Sequence, residues 1–238
     1  MRTSISCRPR TIVLRRRMDD AEARAAVESR KAAAFRTLLS SPRASEIHTH
    51  SVRVAYEAVT MASGRYSATY YRKATHTIRV DHNVIRVEAG DGTFEARPQS
   101  RIGRAVSGRG ASRRVDLEVE ELVSDEREGS VFVDHHGRQT VFSHGTRARD
   151  VEPYPRRVLA SAEEVRDPEI GRDALVALLR GAISDGPDPS GVRDLEDSLE
   201  VTGIERIYVP IVEARLAGPK RRTKILRIDA VSRRRLKA

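Results

Sequence analysis

The chain has 238 residues, 39% apolar and 33% charged, with 4% aromatic and no Trp, so its core has to be assembled from Val, Ile, Leu and Ala in one large domain or two small ones. A single cysteine, Cys7, excludes an internal disulfide and Cys-based metal centres. No apolar run approaches the roughly 20 residues that cross a bilayer as a helix, and residues 11–14 are too short a block for a signal peptide, which leads to an expectation of a cytoplasmic protein.

The formal net charge is +10, with +6 in residues 1–17 and +8 in residues 220–238, which leaves residues 18–219 at −4. The basic character is therefore terminal. Residues 1–17 stop at Met18, directly before Asp19 and Asp20, and two readings stay open for them: translation that starts at Met18, or a disordered basic arm.

Residues 19–40 carry Val27, Lys31, Ala34, Phe35, Leu38 and Leu39 at three- and four-residue spacings, the pattern of a helix with one apolar stripe. Asp19 with Glu22 marks its start and Ser40-Ser41-Pro42 its stop. From Ile47 to Phe94 the composition changes to Val, Ile, Thr and Tyr, which predicts strands. Ser63-Gly64 and Gly90-Asp91-Gly92 are the expected turns, giving antiparallel hairpins. Residues 98–114 are rich in Gly, Ser and Arg and predict a flexible loop.

Val115, Leu117 and Val119 alternate with acids as an edge-like strand, and residues 130–133 and 139–142 flank His135-His136-Gly137 as a tight hairpin. Ser161 with Glu164 has the capping-box spacing, and Asp167-Pro168 predicts an N-cap and first-turn proline for a helix through Leu175, Leu178 and Leu179. Residues 192–201 fit either helix or strand. Residues 206–216 predict a strand whose Pro210 places it at an edge or bulge, and residues 223–231 predict the strand that returns after Gly218-Pro219.

Taken together the expected class is α+β: two helix-plus-antiparallel-hairpin units with additional β-hairpins between them. The expected divisions are a basic arm (1–17), unit one (18–97), the loop (98–114), a β-hairpin insert (115–160) and unit two (161–238) with a basic C-terminal hairpin and tail. Residues 77–81 (Thr-Ile-Arg-Val-Asp) echo residues 225–229 (Ile-Leu-Arg-Ile-Asp), as an internal repeat would. A helix followed by strands ending in hydrophobic-Arg-hydrophobic-Asp resembles the PepSY family of α+β repeats, over residues 168–236 best. That resemblance implies an inhibitory or binding module with no catalytic residues to carry over.

Lys220, Arg221, Arg222, Lys224, Arg227, Arg233, Arg234 and Arg235 form the main candidate site, a basic hairpin for an acidic protein surface or the phosphates of a nucleic acid. Tyr66, Tyr70 and Tyr71, interleaved with Arg and Lys, are candidates for stacking on single-stranded bases. Asp134-His135-His136 is similar to the Asp-His-His element of the DHH phosphoesterases, although no Asp-x-Asp element precedes it; with His144 it supplies the donors for a metal-dependent hydrolase, and His48 and His50, two apart on one strand, make a separate candidate zinc site with His144 or His136. No cofactor motif is present. The reading that these features favour is a non-enzymatic interaction or regulatory protein, ahead of sequence-nonspecific nucleic-acid binding and of the hydrolase.

Overall fold

The alternating sequence after residue 47 does build strand, in far longer pieces than short hairpins require. The computed structural model describes residues 2–36, 42–97, 112–184, 186–188, 190–219 and 222–236. Strand accounts for 52% and helix for 19% of the described residues. The elements run in the order β1 (Arg2–Ile5), β2 (Arg10–Val13), α1 (Asp20–Phe35), β3 (His48–Val80), β4 (Arg86–Ala89), β5 (Gly92–Glu95), β6 (Arg113–Val133), α2 (Pro155–Ala160), β7 (Glu164–Arg166), α3 (Arg172–Ile183), β8 (Val192–Ala217) and β9 (Thr223–Asp229). This overturns the expected α+β repeat: the chain is mostly β, with a large mixed sheet and three helices among the described residues.

The cause lies at Ser63-Gly64. The chain does not turn there; it continues as one 33-residue strand. A Cβ on Gly64 would stand 2.6 Å from the backbone oxygen of Glu200, so this glycine lets two backbones approach closely. The segments read as separate hairpin strands are thus one element.

Seven strands form the sheet, in the hydrogen-bonded order β1-β8-β3-β6, with β2 and β9 also on β8 and β7 on β3; β4 and β5 make a separate hairpin. β2 lies parallel to β8 with Val13 opposite Tyr208. β9 lies antiparallel to it with Ile211 opposite Asp229. Pro210 falls between those two registers, where its missing N–H costs no ladder bond, and its carbonyl accepts the N–H of Ala230 at 2.9 Å. Residues 2–17, expected as an arm or as untranslated, carry two of these strands, and Val13 and Leu14 are fully buried.

The chain divides into two compact units, each discontinuous in sequence. Unit 1 holds Tyr66–Arg127 with Asp185–Ser198, and its paired charges run across strands: Glu121 accepts from Arg72 at 2.8 Å and lies 2.6 Å from His76, and Arg193 pairs with Glu120 at 2.9 Å while lying over the Tyr71 ring. Unit 2 holds Thr3–Arg65, Glu128–Ser184 and Leu199–Ala238.

Unit 2 is built on the two faces of β8 and β3. On one, Val212, Ala214 and Leu216 with Leu226 and Ile228 of β9 pack against Ala23, Val27, Ala34 and Phe35 of α1. On the other lie Ile207, Val209 and Ile211 with Val59, Met61, Phe132 and Phe142. Side chains change face at every residue of a strand. Glu57, Glu213 and Arg227 share parity with this second set.

Helix α1 starts at the expected capping box: Asp19 Oδ1 accepts the Glu22 N–H at 2.7 Å, and Glu22 Oε2 accepts the Asp19 N–H at 3.0 Å. Helix α3, in contrast, starts after Gly171. Asp167 is not its cap, because the Tyr208 hydroxyl donates to it at 2.5 Å. Ser161 ends α2, and Glu164 opens β7. Residues 192–201 are strand. Gly137, at φ +84, closes the expected turn after His135-His136, but the returning arm expected over residues 139–142 is not a strand and meets β6 only through a bridge between Gln139 and Val133; β4 and β5 meet at the expected turn with Gly90 at φ +57. Residues 98–111 of the loop expected over 98–114 lie outside the described residues, and residues 113 and 114 open β6.

Candidate functional site

Of the eight cations expected to form the basic hairpin, Lys220 and Arg221 lie outside the described residues, and several of the others serve the fold. Arg227 faces inward, opposite Glu213 in the β8–β9 register; its Nε donates to Glu213 at 3.1 Å and its guanidinium also pairs with Glu57. Arg233 occupies a left-handed conformation at φ +61 and donates to the Arg17 carbonyl at 2.7 Å and to Glu22 at 2.9 Å. Lys224 donates to the Ala34 carbonyl at 2.9 Å and Arg235 to the Ala33 carbonyl at 3.4 Å. Helix α1 has no basic residue in its own last turn, so the hairpin supplies the cations that its carbonyl end favours. Arg222 and Arg234 are exposed.

The acid of this segment turns inward as well. Asp229 is 4% exposed; its Oδ1 accepts the N–H groups of Val231 and Ser232 at 2.8 and 2.9 Å, and its Oδ2 lies 2.8 Å from His144 Nε2. Burial pushes this carboxyl up, but the bonds from His144 and the two backbone N–H groups outweigh it and leave it below the usual carboxylate range. Between Arg222 and Leu236 the exposed charge is therefore entirely positive.

Beside Asp229 lies a buried charge network that the sequence reading missed. Arg166 of β7 stands opposite Glu57 of β3. It pairs with that carboxylate, donates to both oxygens of Glu213 at 2.8 and 2.7 Å, and pairs with Glu164 at 2.7 Å. Arg53 joins Glu164 at 2.6 Å and Glu213 at 3.2 Å. Three guanidinium groups thus meet three carboxylates, and the two central side chains, Glu57 and Glu213, are 11% and 6% exposed. The Arg166 bonds hold the Glu213 carboxyl below its ordinary range, and Glu213 in turn raises the Arg166 guanidinium. The detectable signal was Glu213 itself, one acid within the near-continuous buried run 207–214, where a charge demands partners.

A cleft of about 540 Å³ opens over this face of unit 2, lined by Asp134, His135, His136 and Arg138 of the hairpin, by Thr140 to His144, and by Glu57, Arg227 and Asp229 from the sheet. Burial pushes the His135 imidazole down, against the nearby Glu57 carboxylate that favours its charged form. The structure therefore brings Asp134, His135, His136 and His144 to one cleft. His48 and His50 open β3 and do not line it. Among the described residues no group of three His, Cys, Asp or Glu side chains is disposed to hold a metal ion.

Tyr66 and Tyr70 are buried at 0% and 9% exposure, so their rings belong to the interior of unit 1. Tyr71 stacks under Arg193. Among the described residues no helix is long and apolar enough to cross a membrane. The chain matches no protein-family model, no curated protein and no solved structure.

Proposed function

We propose that the chain is a non-enzymatic interaction or regulatory protein that presents its C-terminal basic hairpin to an acidic protein surface. The observation that carries this reading is the one-signed surface from Arg222 to Leu236, whose only acid is buried and spent on His144 and two backbone N–H groups. Arg222, Lys224, Arg234 and Arg235 are exposed there, a patch that attracts anionic groups at a range set by ionic strength.

The test uses the double variant Arg222→Glu with Arg234→Glu, because these cations have no side-chain partner among the described residues. An acidic peptide bound at low salt and followed by fluorescence anisotropy should lose about tenfold or more in affinity in the variant, with the thermal midpoint unchanged. Unchanged affinity refutes the reading. A single-stranded oligonucleotide binding more tightly than the peptide, with a steep salt slope, would replace it with nucleic-acid binding through the backbone alone, since Tyr66 and Tyr70 are buried.

A further inference from the structure

The cleft of unit 2 lies outside that reading, and we propose that it binds a small organic monoanion, a carboxylate carrying a short apolar body. Most of its polar groups are already spent on partners within the fold. Asp134 Oδ1 accepts the N–H groups of His136 and Arg138 at 3.0 and 2.9 Å. Asp229 is held by His144, Val231 and Ser232. Glu57 pairs with Arg166 and Arg227, and its other oxygen lies 3.9 Å from His135 Nδ1. Every carboxylate that lines the cleft is engaged.

What is left is donor capacity. The exposed Arg138 guanidinium pairs with no carboxylate among the described residues, and the Thr140 and Ser143 hydroxyls line the same space. Arg227, the other guanidinium of the lining, is spent on Glu57 and Glu213. One uncompensated guanidinium matches one negative charge; a dianion would add a second among Asp134, Glu57 and Asp229. Apolar walls complete the site, from Val59, Phe142, Val209 and Ile211 to Val141, which is 92% exposed at the rim. A cleft whose apolar walls stand beside a few convergent donors suits a small amphiphilic molecule.

The probes are a straight-chain carboxylate series from acetate to octanoate, benzoate, the matching neutral amides, and inorganic phosphate, each at millimolar concentration against the full chain in ligand-observed NMR. At least one carboxylate should bind about tenfold more tightly than its amide and than phosphate, and Arg138→Gln should weaken it about tenfold. Arg138 is exposed and its guanidinium pairs with no side chain among the described residues, so this variant should keep the wild-type unfolding midpoint. Thr140→Val serves as a second variant with a smaller expected loss. Equal binding of acid and amide, no carboxylate signal sensitive to Arg138→Gln, or tighter binding of phosphate each overturns the proposal. Arg222→Glu with Arg234→Glu should leave carboxylate binding intact, so this proposal and the basic-hairpin reading fail separately.

Discussion

Replacing Arg166 with Met removes the one side chain that touches three carboxylates, Glu57, Glu164 and Glu213. The network then holds two guanidinium groups against three carboxylates, with Glu57 and Glu213 still out of water. Removing one partner of a buried pair costs about 3–5 kcal/mol. Arg166 is 24% exposed and Arg227 and Arg53 still reach Glu213, so the low end applies, about 3 kcal/mol. For a chain of this length that lowers the thermal midpoint by about 6–12 °C. The sign with pH follows from Glu213. Its folded pKa is depressed, so its contribution is present above the unfolded value and is lost as pH falls through the folded one. Without Arg166 the depression shrinks, and the deficit of the variant should narrow as the medium is acidified through the carboxylate range. Adding Glu213→Gln to Arg166→Met should restore about 1–2 kcal/mol, because the surplus negative charge is gone and two guanidinium groups then face two carboxylates. Urea unfolding at neutral and mildly acid pH measures all three. A loss below about 1 kcal/mol for Arg166→Met, or a double variant as unstable as the sum of the singles, would refute the account of a coupled buried network.

Gly64→Ala should destabilise by about 1–3 kcal/mol by overpacking, since its Cβ would meet the Glu200 carbonyl at 2.6 Å and Leu179 at 3.1 Å; urea unfolding reads this, and a neutral result would mean that β3 turns at Gly64 after all. Asp19→Ala removes the α1 cap and should cost about 1 kcal/mol, seen in the same assay. Tyr208, buried and donating to Asp167, has its phenol pushed up to about 12; its neutral form is favoured by folding, so its contribution is complete below the ordinary tyrosine value and is lost as pH rises from there to the folded value. A spectrophotometric titration of wild type against Tyr208→Phe should show this phenol as a late-ionising one, and coincident curves below that range are the expected result.

The elements legible in the sequence were those whose signals are local. The Asp19–Glu22 capping box and the stripe through Val27 and Ala34 specify α1 without outside help. Gly90-Asp91-Gly92 and Gly137 mark turns because positive φ is needed there. The failures are all tertiary. Ser63-Gly64 has the composition of a turn, yet the approach of Glu200 gives that glycine a different use. Asp167 has the position of an N-cap, yet Tyr208, distant in sequence, takes its side chain. Residues 11–14 look too short to matter alone, and become core only because β8 offers a parallel edge. The candidate site divides along the same line: the His135-His136 hairpin was visible, whereas Glu57, Arg166 and Glu213 depend on pairing between strands that no local pattern reveals.

Net charge says how many cations the C-terminal segment has, but strand parity decides which of them reach a partner. Within β9, Leu226 and Ile228 face α1, and Lys224 shares their parity and ends on the α1 carbonyl of Ala34. Arg227 has the opposite parity and meets Glu213 and Glu57. Arg233 and Arg235 come after the strand but fold back on it, since the Arg235 bridge to Ile228 holds the segment against β9. Among the described residues of this segment, only positions just outside the paired register, Arg222 before β9 and Arg234 after it, keep exposed guanidinium groups that pair with no side chain. An Arg227 substitution that weakened binding would therefore report on the buried network, and a loss on Arg222→Glu with Arg234→Glu is what reports on the surface itself.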